Sequence, residues 1–178
     1  MGVGPHAQLI KNDMPVLSLE DSVIWAAALR RSRKAIVFTA GVFDLLHPGH
    51  VHYLRAARAE GDALMVAVHS DRFVRVTKGS TRPINPAAER AELVSALECV
   101  DAVVVFDEET PDAIIRTIQP DVLVKSAGCA ADAVGGRETV ESQPARVVRI
   151  AVEPAWSSSA IIEKIKERKD SGSHPFTL

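Results

Sequence analysis

A chain of 178 residues with 47% hydrophobic and 25% charged side chains has room for one full domain core and not for two. Its formal charge of −2 and pI of about 6.3 exclude a bulk attraction to nucleic acid or to an anionic membrane, so any polyanionic ligand must be small and locally held. Cys99 and Cys129 make no disulfide framework, no apolar run reaches the ~20 residues of a membrane span, and the first residues lack a basic-then-apolar leader. The expectation is a cytoplasmic protein with reduced thiols.

Residues 1–17 mix glycine, proline, histidine and asparagine with scattered apolar residues and read as a flexible leader. Ser18 then caps a helix that runs to about Arg31, with Glu20 and Asp21 in the first turn and Arg30, Arg31 and Arg33 near its end, matching the helix dipole. Ala35–Thr39 is a first buried strand. Thr39 to His50 forms a polar turn with two glycines, Gly41 and Gly49, and feeds a helix ending near Glu60. Val51, Leu54 and Ala57 repeat there at helical spacing, and Gly61 stands where a C-terminal cap belongs.

Ala63–Val68 is a second apolar run without alternation, as in a parallel strand covered on both faces. Thr77–Pro86 is a basic, breaker-rich loop carrying Lys78 and Arg82. Asn85-Pro86 restarts a helix whose buried stripe reads as Leu93, Ala96 and Leu97. Ala102–Phe106 is strand three, followed by Asp107; Thr110-Pro111 opens a short helix to Ile118; Val122–Val124 is strand four and leads into Lys125. Small residues from Ser126 to Gly136 predict loop and weak helix, then a helix around Glu138. Val147–Val152 is strand five, Ser157-Ser158-Ser159 precede an amphipathic helix at Ala160–Ile165, and residues 169–178 read as a disordered tail.

Five buried strands alternating with helices predict a single Rossmann-like, doubly wound α/β domain over residues 18–168, built on a five-stranded parallel sheet. Such sheets bind ligands beyond the carboxyl ends of their strands. After the five strands stand, in turn, His47 and His50, Lys78 and Arg82, Asp107, Lys125, and the three serines. A polar and largely basic rim collected from five segments fits a phosphate-bearing ligand. His47, His50 and His52 raise the question of a metal, but His52 falls inside the helix and no acid or cysteine has zinc-type spacing, so direct histidine ligation is not expected. Plainer roles stay open for the rest: solvated loop charges for Lys78 and Arg82, an exposed helical ion pair for Arg90, and capping for the serines.

The string Thr39-x-Gly41-x-Phe43-Asp44-Leu45-Leu46-His47-x-Gly49-His50, with Tyr53-Leu54 downstream, resembles the signature of the cytidylyltransferase-like nucleotidyltransferases. The fuller match is to the adenylyltransferase domain of bacterial ADP-heptose synthesis. Its supports are Val66-Ala67-Val68-x-Ser70-Asp71, Lys78-Gly79-x-x-Arg82-Pro83-x-Asn85-Pro86-x-x-Glu89-Arg90, Phe106-Asp107-Glu108, Pro120 to Lys125, and Ser157 with Ala160-Ile161-Ile162. The resemblance implies transfer of a nucleotide from ATP, carried with Mg²⁺, to D-glycero-β-D-manno-heptose 1-phosphate with release of pyrophosphate, in the supply of a lipopolysaccharide core precursor. It also implies roles. His47, His50 and Lys78 act on the phosphates; Thr39, Ala40, Gly41, Val42, Phe43, Asp44, Gly49, Arg90, Lys125, Trp156, Ser157, Ser158 and Ser159 hold the nucleotide; Arg82 and Asp107 hold the acceptor. Members of this fold commonly pair, so a homodimer is a candidate assembly.

The sequence departs from that pattern in three places. Ser126-Ala127-Gly128-Cys129 replaces Gly-Gly-Asp-Tyr, Pro154-Ala155-Trp156 replaces Glu-Gly-Tyr, and Ala40 and Val42 replace Asn and Cys. Two other readings therefore stay open at this point: a cytidylyltransferase for glycerol phosphate or a related alcohol phosphate, and a nucleotide-binding regulatory module without turnover.

Overall fold

A computed structural model describes residues 16–127, 145–151 and 156–170. The elements are β1 (Val16–Leu17), α1 (Leu19–Arg31), β2 (Ile36–Gly41), α2 (Pro48–Arg58), β3 (Ala63–His69), α3 (Asp71–Lys78), α4 (Ala87–Ser95), β4 (Ala102–Phe106), α5 (Asp112–Ile118), β5 (Val122–Ser126), β6 (Arg146–Ile150) and α6 (Ser158–Asp170). All strands are parallel, in the order β1-β4-β3-β2-β5-β6.

Alternation along the strands divides the core into two layers. Ile36, Phe38, Met65, Val104 and Leu123 pack beneath α1 and α5, against Ala26, Leu29, Ile115 and Ile118. Val37, Leu64, Val66, Val103 and Val124 pack on the other face, against Tyr53, Leu54 and Ala57 of α2 and Ala91 and Val94 of α4. Helices on both faces of a parallel sheet make the doubly wound α/β class predicted above. The chain leaves β2 towards β3 on one side and returns to β5 on the other, so the switch point lies between β2 and β5. At the opposite edge of the sheet, carboxylates of Asp62, Asp121 and Asp101 accept the amides of Ala35, Ile36 and Leu64 at 2.7–2.8 Å.

Several expectations are corrected. The five anticipated strands are joined by a sixth: Val16 and Leu17 pair with Val103 and Val104, so the leader gives up its last two residues to the sheet. Asp71–Lys78 is a helix, so the loop expected from Thr77 begins only after Lys78; Ser70 caps this helix, accepting from the Phe73 amide at 3.2 Å. In α4 the buried residues are Arg90, Ala91 and Val94, while Leu93 is exposed, so the stripe is displaced from the one anticipated. Helix α2 ends at Arg58, before the expected Glu60, with Ala59 rather than Gly61 at its C-cap. Gly61 answers to packing instead: a Cβ there would meet Val37 Cγ2 at 2.7 Å and the Ala35 carbonyl at 3.0 Å. The helix expected around Glu138, most of the 169–178 tail, Gly128 and Cys129 lie outside the described residues. No helix among those described is long and apolar enough to cross a membrane.

Candidate active site

Strand β2 delivers Gly41 into the turn that separates it from α2. Phe43 and Leu45 take left-handed conformations there, with φ of 51° and 53°, which a side chain adopts only when its surroundings impose it. The imposing group is Asp44, which is 1% exposed. Its carboxylate accepts the amides of Ile84 (2.9 Å) and Asn85 (3.1 Å) and pairs with Arg82 through Nε (2.8 Å) and Nη2 (2.7 Å). Burial alone would raise this carboxyl; the two amides and the guanidinium outweigh burial and hold it below its ordinary value. The Asp44 carbonyl in turn accepts a hydrogen bond from Ser158 Oγ.

Arg90 supplies a second support. It is fully buried, and its guanidinium donates to the carbonyls of Asn85 (2.9 Å), Val42 (2.6 Å) and His69 (2.8 Å) and to Asp71 (2.7 Å). One side chain thus ties the turn, the end of β3 and the loop before α4 together.

Helix α2 begins at Pro48 with His47 at its N-cap. The imidazoles of His47 and His50 stack at 3.8 Å between centroids, and the His50 ring lies 5.4 Å from that of Phe43. Burial lowers the pKa of His47, and burial together with His47 and Lys78 lowers that of His50 to about 4, against a smaller opposing pull from Asp44. Both rings are therefore neutral near pH 7. Gly49 makes room for them: a Cβ there would stand 3.0 Å from His47 Nδ1 and 3.0 Å from Trp156 Cβ.

These groups border a cavity of about 360 Å³ above the β2/β5 switch point. His47, His50, Lys78, Lys125, Trp156 and Ser157–Ser159 all line it, as do Ala40, Gly41, Val42, Phe43 and Gly49. The ends of β2 and β5 thus meet at one opening with Lys78 at the end of α3 and the N-termini of α2 and α6. Amides in a helix's first turn have no partner within the helix and carry its positive dipole end, so both termini favour phosphate. Ser157 caps α6, accepting from the Ala160 amide at 3.1 Å.

Five anticipated ligand contacts lie elsewhere, Asp44 among them, buried with its carboxylate committed to Arg82 and the Ile84 and Asn85 amides. Arg90 is sealed behind the turn, and Arg82, 9% exposed, is committed to Asp44. Asp107 is exposed and faces Ser70 and Arg72, pairing with Arg72 at 2.7 Å; the Ser70 bond and then Arg72 lower its pKa. Thr39 is fully buried, its hydroxyl 2.7 Å from Tyr53 Oη and 3.1 Å from the Val124 carbonyl. Conversely, Tyr53, Phe38, Leu123 and Ile115 reach the cavity although the sequence pattern does not mark them as site residues. Strand alternation could have found Leu123, which shares a face with Lys125. His69, which no motif marks, is buried and stacked on Phe73 at 3.9 Å, and its pKa is lowered to about 4 by burial, then Arg90 and Lys78.

A parallel doubly wound sheet with a paired-imidazole turn and two lysines beside its switch point is suited to holding phosphate, as a nucleotidyltransferase must. The sequence comparisons agree: the cytidylyltransferase-like family model matches residues 38–167, and the chain belongs to that family. Among curated relatives, the bifunctional protein HldE of Geotalea uraniireducens is 45% identical over 87% of this chain, and that of Citrifermentans bemidjiense is 48% identical over 82%. The chain spans about a third of their length, 32% and 30%. Among solved structures, a lipopolysaccharide core biosynthesis protein from Thermoplasma volcanium superposes with a TM-score of 0.59 at 27% identity, covering 67% of this chain and 98% of its own. A pantoate–β-alanine ligase from Francisella tularensis shares the fold at 13% identity and a TM-score of 0.59, covering 93% of this chain and 82% of its own.

Proposed function

We propose that the chain transfers an adenylyl group from ATP to a sugar phosphate, D-glycero-β-D-manno-heptose 1-phosphate by preference, releasing pyrophosphate in the supply of a lipopolysaccharide core precursor. The observation that carries the chemistry is the stacked pair His47 and His50 at the N-terminus of α2, both neutral and both facing the cavity. Their Nδ1 atoms are buried with no hydrogen-bond partner among the described residues, which leaves Nε2 of each ring as the nitrogen available to donate to a phosphate oxygen. Attack of the acceptor's phosphate oxygen on the α-phosphorus forms one P–O bond and breaks that to pyrophosphate. It needs positioning and charge neutralisation, with no covalent enzyme intermediate. The imidazoles donate more strongly as charge builds on the α-phosphate, while Lys78, Lys125 and the first turn of α6 neutralise the remainder.

The described lining of the cavity contains no carboxylate, and Asp44 spends its oxygens within the turn. A Mg²⁺ arriving with the triphosphate would stand beside Lys78 and Lys125 in this lining and would supply further neutralisation of the phosphates. The specific choice of heptose rests on the similarity to the HldE proteins and on the motif matches outside the histidine turn. Incubation with ATP or CTP and a panel of sugar and alcohol phosphates, read as pyrophosphate released, tests it. Release with ATP and the heptose phosphate is expected; release with CTP alone overturns the adenylyl reading, and nucleotide binding without release for any acceptor overturns transfer.

A further inference from the structure

His52 is the third histidine of the turn region, and neither the phosphate chemistry nor the fold accounts for it. It is exposed on α2, outside the cavity, and its ring meets that of Trp156 edge-to-face, centroids 4.8 Å apart at 82°. Trp156 does line the cavity, and it immediately precedes the three serines that open α6. Two further contacts bind the same segment to α2 and its turn: Trp156 Cβ rests on the bare face of Gly49, and Ser158 Oγ donates to the Asp44 carbonyl. The segment 156–158 is thus pinned at three points, one inside the turn, one beneath the indole and one at its outer edge.

We infer that His52 is a positioning residue: by holding the indole of Trp156 against α2, it sets the wall of the nucleotide site and the placement of the α6 N-terminus. His52 touches neither phosphate nor base; it acts through Trp156. The inference rests on the nucleotide occupying this cavity, as proposed above. An edge-to-face ring pair contributes the equivalent of about 3- to 10-fold in an equilibrium, so the expected effect is a moderate loss of nucleotide affinity and not an abolition of turnover.

The protein contains two tryptophans, so a Trp25→Phe background leaves Trp156 as the only indole reporter. In that background His52→Ala should shift Trp156 emission to the red and raise the KM for the nucleoside triphosphate about 3- to 10-fold, with kcat changed less than about twofold. His52→Phe, which restores a ring edge, should return both towards the parent. Unchanged emission and KM in His52→Ala overturn the inference, as does a fall in kcat at constant KM. Calorimetry of ATP binding separates this inference from the functional proposal. A red shift with weakened ATP binding, in a protein that releases no pyrophosphate with any acceptor, sustains the role of His52 and overturns nucleotidyl transfer.

Discussion

Behind the histidine turn and in front of it stand two sets of charged groups, similar in sequence and opposite in role. Behind it are Asp44, Arg82 and Arg90, all buried and bonded to carbonyls, amides and one another. In front are His47, His50, Lys78 and Lys125, which border the cavity. The division follows side-chain chemistry. A guanidinium offers five donors in a rigid plane and can satisfy several carbonyls at once, which makes it a scaffold; an ammonium is a compact charge on a flexible stem, suited to a phosphate that comes and goes. A basic rim read from sequence therefore overcounts ligand contacts, because some of its cations build the site.

The sharpest test of that division is Arg90→Ala. It strands three carbonyls and Asp71, and should cost about 3–5 kcal/mol of stability, read as a lower urea midpoint. A variant of parental stability with only a raised KM for nucleotide would put Arg90 in the front set. Next in size, His50→Ala should lower kcat by about 10²- to 10³-fold with little change in melting temperature or in ATP affinity. If instead it lowers the melting temperature while the folded protein keeps its full kcat, His50 belongs behind the turn.

Titration gives a third test. His50 and His69 hold pKa values of about 4 in the folded state against 6.5 for the free side chain. Below about pH 6.5 the unfolded chain binds protons that the folded chain refuses, so stability should fall as pH drops from 6.5 towards 4. Urea unfolding across that window measures the slope, and His69→Phe, lacking one of the two rings, should be shallower; equal slopes would dismiss His69 as a contributor. The smallest effect is expected of Lys78→Ala, about a tenfold loss in kcat/KM with no change in stability. Parental kinetics would return this lysine to the solvated loop.

The α/β class, the strands and the histidine turn were legible because they depend on local composition: unbroken apolar runs, and glycines where backbones approach closely. What escaped was decided by distant partners. The Glu89-Arg90 pair reads like any exposed helical charge until β2, β3 and the preceding loop are brought together around it. Helix α3 carries β-branched Val74, Val76 and Thr77, and its cap depends on a Ser70 that also bonds Asp107, 37 residues away. Val16 and Leu17 are too few to register as a strand without β4 beside them. Asp107 follows a strand as the ligand-binding groups do, yet it faces Arg72, a pairing that no spacing rule announces.

The left-handed turn at Phe43 and Leu45 has a consequence for transplantation. Its supports come from Arg82, the Ile84 and Asn85 amides, Arg90 and Ser158, none of which lies between the ends of the β2–α2 unit. Grafted alone into another parallel sheet, residues 35–61 would carry both histidines and leave the clamps behind. The turn would relax towards ordinary backbone angles, and the two rings would lose their common face. Its twelve-residue signature is the visible part of an assembly that reaches across more than a hundred residues of chain, and it travels between proteins only as that whole.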